Sequence, residues 1–483
     1  MRVSRRQQLL RLAHAGLGKL IALLLRLEAQ LRQAICERDA LRRQVKALRA
    51  RLALDSSNSS QPPSTDGLTK PAPRSLRTPS GRRPGGQPGH PGRTLQPVAQ
   101  PDHVRVHPLD LCPCGACQGR SLRHEPVLDY AKRQVFELPQ KPLEVTEHQA
   151  EIKRCPVSGR LVTAPFPEGV CAPAQYGPRF RAQMVYLNQQ QALPYDRLTQ
   201  LCHDFYGQPL SEATVVSANE RAYEQLAPFE QRLKVLLPQA PATNLDESGG
   251  RVAGKLHWVH VVSTPKLTFY GVHPQRGHEA MDEFEIVPHC HNFVIHDHFK
   301  PYFGYTQCLH ALCNEHHLRE LKFVLEQEHE AWAGAMSRFL LHCLARRKQA
   351  GVLDERQFKK VRRRYRAILK QGRLLHPLVE GRGAQSKAAN LLRRLEDFEW
   401  NVLAFTVFEE VPFTNNGAEQ DIRMVKTRLK VCGCFRTLHG ARVFARIRSY
   451  ISTCRKQRHN ILDALEAAIV GKPFIPSAPP AGP

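Results

Sequence analysis

Three acidic and two basic residues have types and spacings that suit phosphodiester chemistry. Asp246 lies in the run ATNLDES, Asp297 ends the apolar run HNFVIHD, and Glu419 stands near the start of the periodic run NNGAEQDIRMVKTRLK. Neighbouring carboxylates are ligands for Mg²⁺ or Mn²⁺, which prefer oxygen donors. Arg423 and Lys426 follow Glu419 at i+4 and i+7, so one helix face would carry an acid and two cations. The pattern predicts a divalent-metal site beside side chains that bind phosphate.

The elements that must bring the two aspartates together are strands of one sheet. The runs ATNLDES, KLHWVHVVS and KLTFYGVHP, separated by Gly249–Gly250 and by Pro265, predict a three-stranded meander. A helix is predicted over 277–286, followed by a fourth strand at HNFVIHD. This is the opening order of an RNase H-like fold, in which the first and fourth strands are neighbours. Asp246 and Asp297 would then meet at one edge of the sheet.

Four other acids compete for the same roles. Glu247 follows the first aspartate and therefore faces the other side of its strand. Asp421 is about 200° around the helix from the predicted third acid. Alternation and helical pitch disfavour both. Glu315 and Glu320 remain alternatives for the third acid, because nothing in their local pattern excludes them.

A histidine-rich stretch supports a different metal chemistry. Its members are His289, His291, His296, Asp297 and His298, and the motif Cys313-x-x-His316 follows. Together they would suit a histidine-rich, metal-dependent phosphohydrolase. His296 and His298 would share a strand face that excludes Asp297, however, so an array using all of them is strained. We expect most of these histidines to be structural or to face phosphate.

A cysteine cluster predicts a small zinc-binding module over residues 104–172. The four candidate ligands are Cys112, Cys114, Cys117 and Cys155. Alternating segments around them predict a β-rich module too small for a large core, which one structural Zn²⁺ would stabilise. Ser158 stands where a second CxxC knuckle would have a cysteine. Either Cys112 supplies the fourth ligand or the cysteines are free.

The charge balance favours a polyanionic partner. The 483-residue chain has 70 Lys+Arg against 44 Asp+Glu, a net charge of +26, which points to nucleic acid. No run approaches the roughly 18 apolar residues of a membrane-spanning helix, and the Arg-rich start lacks the features of a signal peptide. We therefore expect no membrane insertion and no secretion. The 14 cysteines form no dense disulfide pattern, which predicts a reducing, cytosolic setting. The length predicts several domains.

The N-terminal segments predict a helix followed by a tether. Residues 7–54 carry apolar side chains at alternating three- and four-residue spacing, which predicts a coiled-coil helix and a homo-oligomer. The alternative is an amphipathic helix packed on its own protein. Residues 55–103 are rich in Ser, Pro, Gly and Arg and predict a flexible basic linker. Its Arg82 and Arg83 would either follow a phosphate backbone or only increase solubility.

Residues 173–238 predict helices joined by a glycine turn. Pro194 opens a helix over 195–206, Gly207 closes it, and Ser211 starts the next. The pattern fits either a DNA-reading helix-turn-helix or an ordinary helical hairpin. The chain as a whole is predicted to be multidomain α/β, with four further segments: the first part of the catalytic core at 239–323, a helical insertion at 324–410, a helical C-terminal part of the core at 411–470 and a flexible tail at 471–483.

Six short blocks add a family resemblance. SSNSSQPPSTD and PGGQPGHPGRTL precede LPYDRLTQLCHDFYGQPLSEAT, and NLDES, Cys313-x-x-His316-x-x-Arg319 and TNNGAEQDIR follow. In this order they resemble the linker, the helix-turn-helix segment and the catalytic blocks of the DDE transposases of the insertion-sequence-66 family. The chain departs from the family pattern at Ser158, at the histidines flanking Asp297 and in the cysteine-rich RLKVCGCFRT. None of these departures removes an acid.

The resemblance implies a transposase of a bacterial insertion sequence that cuts and joins DNA. It implies that Asp246, Asp297 and Glu419 are catalytic ligands of Mg²⁺ or Mn²⁺ in an RNase H-like core with a helical insertion. It ranks Glu419 above the two rival glutamates. The implied partners are the element's terminal inverted repeats, target DNA and accessory proteins of the element, and the implied location is the bacterial cytoplasm, at the nucleoid when DNA is bound.

A catalytically inactive DNA-binding regulatory protein is the alternative from another class. It would keep the coiled coil, the basic linker and the helix-turn-helix but perform no strand transfer. Inactivation usually appears as a lost acid, and all three acids are present. The sequence therefore favours the active enzyme.

Overall fold

The computed structural model describes residues 5–52, 97–112, 116, 118–136, 143–154, 156–158, 160–377 and 386–477. The chain divides into two compact units. The first comprises 1–71, 174–199 and 210–483, and the second comprises 72–173 and 200–209. All three predicted catalytic acids belong to the first unit.

The N-terminal segment of the first unit is one long helix, α1 (Arg5–Leu52). Its bounds agree with the helix predicted over 7–54. The apolar side chains Leu24, Leu31, Leu41 and Leu48 are exposed along it. To bury this apolar stripe, the helix would have to pack against another helix or another surface. The coiled coil therefore stays a prediction.

The described residues of the second unit contain less β structure than the sequence predicts. Their strands are β1 (Ile152–Arg154) and β2 (Leu161–Thr163), which pair antiparallel. A single bridge joins Leu111 to Ser121. Residues 127–136, predicted as a strand, have no regular structure, and Leu128 and Val135 on that segment are exposed. An alternating pattern forms a strand only when a partner covers one face, and the described part of this unit supplies none.

Four helices lie between residue 173 and the sheet, and two of them begin or end where the sequence predicts. They are α2 (Pro178–Val185), α3 (Tyr195–Tyr206), α4 (Glu212–Gln225) and α5 (Ala227–Leu236). Gly207, at φ +63°, follows α3. The Ser211 hydroxyl accepts a hydrogen bond from the Thr214 N–H and caps α4.

A five-stranded sheet forms the centre of the first unit. Its strands are β3 (Ala242–Val252), β4 (Lys255–Ser263), β5 (Thr268–His273), β6 (Phe293–His296) and β7 (Leu309–Leu312), with α6 (His278–Phe284) between β5 and β6. The spatial order is β5-β4-β3-β6-β7. The first three strands are antiparallel, whereas β6 runs parallel to β3 and β7 parallel to β6. The predicted adjacency of the first and fourth strands is therefore observed. The sequence pattern missed the four-residue β7.

The turn between β3 and β4 differs from the prediction. Gly249 and Gly250 lie inside β3, and the turn is the two-residue loop Ala253–Gly254, with φ of +49° and +79°. Two consecutive residues of positive φ are what a tight hairpin turn requires. Gly250 instead avoids a close contact, because a Cβ at this position would lie 3.2 Å from the Leu429 side chain. The missing side chain lets a later helix pack closely on β3.

The predicted helical insertion is present between the sheet and the last helices. After α7 (Asn314–Phe323) come α8 (Ala331–Ala350), α9 (Glu355–Leu375), α10 (Lys387–Asp397) and α11 (Glu399–Leu403). These helices share one apolar core with β6 and β7, which contains Trp332, Tyr365 and Leu392.

Three helices complete the first unit: α12 (Asn416–Cys432), α13 (Leu438–Lys456) and α14 (Ile461–Ile469). Ile422 and Val425 of α12 pack with Val259 and Val261 of β4, so α12 covers one face of the sheet. The other face of the sheet packs against α6, through Phe284, and against α5 and α13. In the part of the chain that the structure describes, no helix has the length and apolar character needed to span a membrane.

Candidate active site

Asp246 and Asp297 lie at the same level of two adjacent parallel strands. The last backbone pair between β3 and β6 joins Asn244 to Ile295, and each aspartate stands two positions further along. Asp297 directly follows β6, and Cys313 directly follows β7, where its N–H donates to the His296 carbonyl at 2.9 Å. Three neighbouring strands thus place Asp246, Asp297 and Cys313 at the carboxyl edge of the parallel part of the sheet. This edge is where open α/β sheets bind ligands.

The electrostatics of Asp246 show that acids converge here. Burial raises the pKa of the Asp246 carboxyl to about 8, and the negative charges of Glu247, Glu419 and Asp297 raise it further. The Glu247 N–H donates to Asp246 Oδ1 at 2.9 Å and opposes the rise. No ion pair with Asp246 or Asp297 occurs among the described residues. The two aspartates therefore lack a cationic partner among the described residues.

The start of α12 is tied to β3 beside Asp246, and this positions Glu419. The Asn415 side-chain amide donates to the Leu245 carbonyl, and the Asn415 N–H donates to Cys313 Sγ at 3.1 Å. The Glu419 N–H donates to the Asn415 carbonyl at 3.2 Å and begins the helix. Glu419 therefore lies in the first turn of α12, directly above the carboxyl edge.

Three other side chains lie close to the Glu419 carboxylate. Cys313 Sγ lies 3.8 Å from Oε1, His316 Nδ1 lies 3.9 Å from Oε1, and Arg319 Nη2 lies 3.8 Å from Oε2. The motif Cys313-x-x-His316-x-x-Arg319 thus places all three side chains against one acid, because residues i, i+3 and i+6 follow one side of α7. Burial raises the pKa of the Cys313 thiol to about 12, and the charge of Glu419 adds to the rise.

Two groups of metal-ligating side chains in the described residues have ligand atoms that all lie within 4.8 Å of one another. One is Cys313, His316 and Glu419, and the other is Glu328, Glu330 and His376. Asp246, Asp297 and Glu419 are not such a group. The charges of Asp297 and Glu419 contribute to the raised pKa of Asp246, whereas Glu419 Oε1 lies 3.8 Å from Cys313 Sγ.

Two of the competing acids have other partners. Glu247 lies on the opposite face of β3 from Asp246, where it binds Arg276 at 2.7 and 2.9 Å and accepts a hydrogen bond from the Tyr302 hydroxyl. Asp421 accepts from Thr268 at 3.1 Å and pairs with Lys456 at 2.8 Å. Strand alternation and helical pitch thus separated these acids from the site.

The two rival glutamates on α7 pair with arginines. Glu315 pairs at 3.7 Å with Arg319, which also lies 3.8 Å from Glu419. Glu320 pairs with Arg394 of α10, away from the strand ends. Of these three candidates for the third acid, Glu419 is the one whose charge is among the causes of the raised pKa of Asp246.

The histidines of the alternative metal site are part of the packing. His296 is buried, its Nε2 lies 2.9 Å from His310 Nδ1, and its ring packs on Tyr302. His298 Nε2 lies 2.8 Å from His317 Nε2. Burial lowers the pKa of His296 and of His298 to about 3. Within the described chain, these histidines form no ligand group with Asp297, as their strand alternation suggested.

The predicted phosphate-binding residues are partly visible. Arg423 and Lys426 are exposed on α12 and have no ion-pair partner among the described residues. Arg82 and Arg83 lie outside the described residues. So do Cys114, Cys117 and Cys155, whereas Cys112 is described and half-buried. The zinc module of the second unit therefore remains a prediction.

The helix-turn-helix helices carry little positive charge. The sequence of α4, EATVVSANERAYEQ, has three glutamates and one arginine, and Arg221 donates to the Ile469 carbonyl. Val215, Ala218 and Ala222 of α4 are buried in the core of the first unit. This composition suits packing better than contact with a phosphate backbone.

One residue of the site is not among those that the sequence singles out. Asn415 holds α12 on β3 through its side-chain amide. The sequence does indicate Cys313 and His316 as part of a metal site, but no pattern along the chain connects them with Glu419. The position of Asn415 just before the first turn of the helix that carries Glu419 could have indicated its importance.

Comparison with protein families agrees with this architecture. Residues 173–443, more than half of the chain, match the family described as Transposase IS66 family. Residues 14–96 match a family of unknown function, DUF6444. No curated protein matches the chain. The matched segment contains the sheet, the insertion, all three acids and the Cys313-x-x-His316 motif, and the chain belongs to the IS66 family of transposases.

Proposed function

We propose that this transposase is a DDE enzyme that binds the ends of its insertion sequence and catalyses divalent-metal-dependent DNA cleavage and strand transfer. Asp246, Asp297 and Glu419 would be the metal ligands. The observation that carries the proposal is the position of Asp246 and Asp297, each two residues beyond the last backbone pair of adjacent parallel strands. The charge of Glu419 contributes to the raised pKa of Asp246, which supports an arrangement of acids from three separate segments.

The donor set fits Mg²⁺ or Mn²⁺. Carboxylate oxygens are the ligands that these hard cations prefer. Like charges that converge in a half-buried site raise one another's pKa, and a cation relieves that repulsion. When bound, such ions would supply Lewis-acid activation of a phosphodiester and of its attacking hydroxyl.

The strand order supports an RNase H-like core. An antiparallel meander of three strands, followed by a helix and by β6 parallel to the first strand, matches the element order that the sequence predicts, and β7 adds a further parallel strand. In this arrangement β3 positions Asp246 and β6 positions Asp297. The hydrogen bond from Asn415 to β3 positions α12, which carries Glu419.

Basic residues beside the acids would bind the DNA strand. Arg423 and Lys426 lie one and two turns beyond Glu419 on α12 and are exposed. Cations so placed would bind phosphates next to the cleaved bond and keep it at the acids. The net charge of +26 supports a nucleic-acid partner for the whole chain.

Assembly and location complete the proposal. The exposed leucines of α1 support a homo-oligomer that brings two DNA ends together. Accessory proteins of the same element, a structural zinc in the second unit and a location at the bacterial nucleoid are proposed with it.

The test is Mg²⁺- or Mn²⁺-dependent nicking and strand transfer on DNA carrying the element's ends, with DNA binding measured in parallel. Wild type should cut and join, and Asp246→Asn, Asp297→Asn and Glu419→Gln should bind DNA but not cut. Glu315→Gln and Glu320→Gln are the matched controls and should retain cleavage. Wild type that binds the ends but never cuts, even with companion proteins supplied, would favour the inactive regulatory protein.

A further inference from the structure

A thiol, an imidazole and a carboxylate face one another at the edge of the proposed catalytic site. Cys313 Sγ and His316 Nδ1 lie 3.8 and 3.9 Å from the same oxygen, Glu419 Oε1. In a tetrahedral zinc site, metal–ligand bonds of about 2.0–2.3 Å place these ligand atoms roughly 3.3–3.5 Å apart. The observed separations are longer by roughly 0.3–0.6 Å.

The backbone around this cluster is held from both sides. Cys313 follows β7, His316 lies in the first turn of α7, and Glu419 lies in the first turn of α12. The Asn314 N–H donates to the Phe413 carbonyl at 3.0 Å, which joins the two helix starts. The N–H of Asn415 donates to Cys313 Sγ at 3.1 Å. This hydrogen bond fixes the position of the sulfur beside Glu419.

One atom of the cluster lacks a partner. His316 Nδ1 is buried from solvent and makes no hydrogen bond with any described residue. Its 3.9 Å separation from Glu419 is too long for a hydrogen bond. Leaving a buried polar atom unpaired costs about 1–3 kcal/mol. A metal ion between these atoms would satisfy the nitrogen.

We propose that Cys313, His316 and Glu419 form a second metal site, selective for zinc over magnesium, which competes with the catalytic site for Glu419. Thiolate and imidazole are ligands of zinc, whereas Mg²⁺ requires oxygen. Three protein ligands leave a fourth position for water. On binding, the thiol proton passes to solvent and a metal–sulfur bond forms.

The consequence for catalysis rests on the proposed function. Glu419 bound to zinc beside Cys313 is withdrawn from the two aspartates. Zinc therefore inhibits Mg²⁺-dependent cleavage, and we expect a slowing of about 10- to 100-fold, as for loss of support to a metal ligand.

The first experiment measures metal binding and needs no activity. The full-length protein, stripped of metal, is titrated with Co²⁺ while thiolate charge-transfer and visible bands are recorded, and zinc is then added in competition. Cys313→Ser should bind one metal ion fewer per chain than wild type, and His316→Gln should bind this ion more weakly. Cys343→Ser, a buried cysteine in α8, is the matched control and should equal wild type. Circular dichroism confirms that each variant is folded.

Equal stoichiometry and equal spectra in wild type and Cys313→Ser would overturn the site. The second experiment compares cleavage in Mg²⁺ with and without zinc. The cleavage rate with zinc, divided by the rate without zinc, should be smaller for wild type than for His316→Gln. Equal ratios in the two proteins would overturn the competition for Glu419. Cys313-dependent metal binding in a protein that never cuts DNA would support the site, and it would be the proposed function that fails.

Discussion

Asp246 and Asp297 stand level with each other at one edge of the sheet, each two residues beyond the paired Asn244 and Ile295 of adjacent parallel strands. Fifty-one positions separate them along the chain, so their proximity is a product of the crossover from β5 through α6 to β6. A parallel crossover places the carboxyl ends of both strands on the same side.

Removing any one acid should abolish cleavage while DNA binding persists. Asp246→Asn, Asp297→Asn and Glu419→Gln each remove one charge from the metal ligand set, and we expect cleavage rates to fall by about 1,000-fold or more. Single-turnover nicking of an end-labelled substrate measures this, with filter binding on the same DNA. Cleavage that survives Glu419→Gln but fails in Glu315→Gln would assign the third ligand to α7.

The raised pKa of Asp246 predicts a pH dependence of stability without metal. The folded carboxyl keeps its proton up to a pH of about 8, whereas the unfolded one releases it near 3.8. The folded state binds the extra proton between these values, so the free energy of unfolding should fall as the pH rises from 4 to 8. Asp246→Asn removes this dependence and should stabilise the protein by about 1–3 kcal/mol at pH 7.5.

Denaturant melts at several pH values test the sign of this effect. The exposed Asp397→Asn is the control and should leave the slope of stability against pH unchanged. A destabilised Asp246→Asn at neutral pH would show that the carboxylate makes favourable contacts in the folded protein.

Divalent metal should offset the loss of folding stability that the clustered acids cause. Mg²⁺ or Mn²⁺ that binds only the folded state stabilises it by about 2.7 kcal/mol at 100 times its dissociation constant. We expect Tm to rise by a few degrees in wild type and to fall again with EDTA. Asp246→Asn should show little of this rise, and an equal rise in both proteins would place the bound ion elsewhere.

The exposed cations of α12 should contribute to DNA affinity without sequence preference. Arg423→Ala and Lys426→Ala should each weaken binding to all DNA sequences alike and reduce the slope of log K against log salt by about one. Arg455→Ala, an exposed arginine on α13, is the matched control. A change confined to the element's ends would instead indicate contacts with bases.

Asn415 should matter for the position of Glu419. Asn415→Asp removes the amide that donates to the Leu245 carbonyl, and we expect a loss of about 1–2 kcal/mol in stability. Cleavage should fall more than DNA binding does, because the first turn of α12 is no longer held on β3. Asn416→Ala changes the exposed neighbour and should be nearly neutral. Equal loss in both variants would mean that the hydrogen bond to β3 is unimportant.

Features set by local chemistry could be predicted from the sequence. The helix Tyr195–Tyr206 has the predicted bounds because Pro194 and Gly207 delimit it. The long N-terminal helix and the first four strands of the sheet follow from their periods. Local patterns failed where a partner decides the outcome, as at 127–136, where an alternating run remains outside any strand.

Relations between distant segments were decided by tertiary structure. The sequence identified three acids and a Cys-x-x-His motif as chemically suitable, and the order of strands predicted that two aspartates meet. Only the packing of α12 on β3, through Asn415 and Gly250, placed Glu419 beside Cys313, 106 positions away. Spacing along the chain reports which residues share a strand or a helix face, whereas contact between two helices depends on what each buries against the sheet.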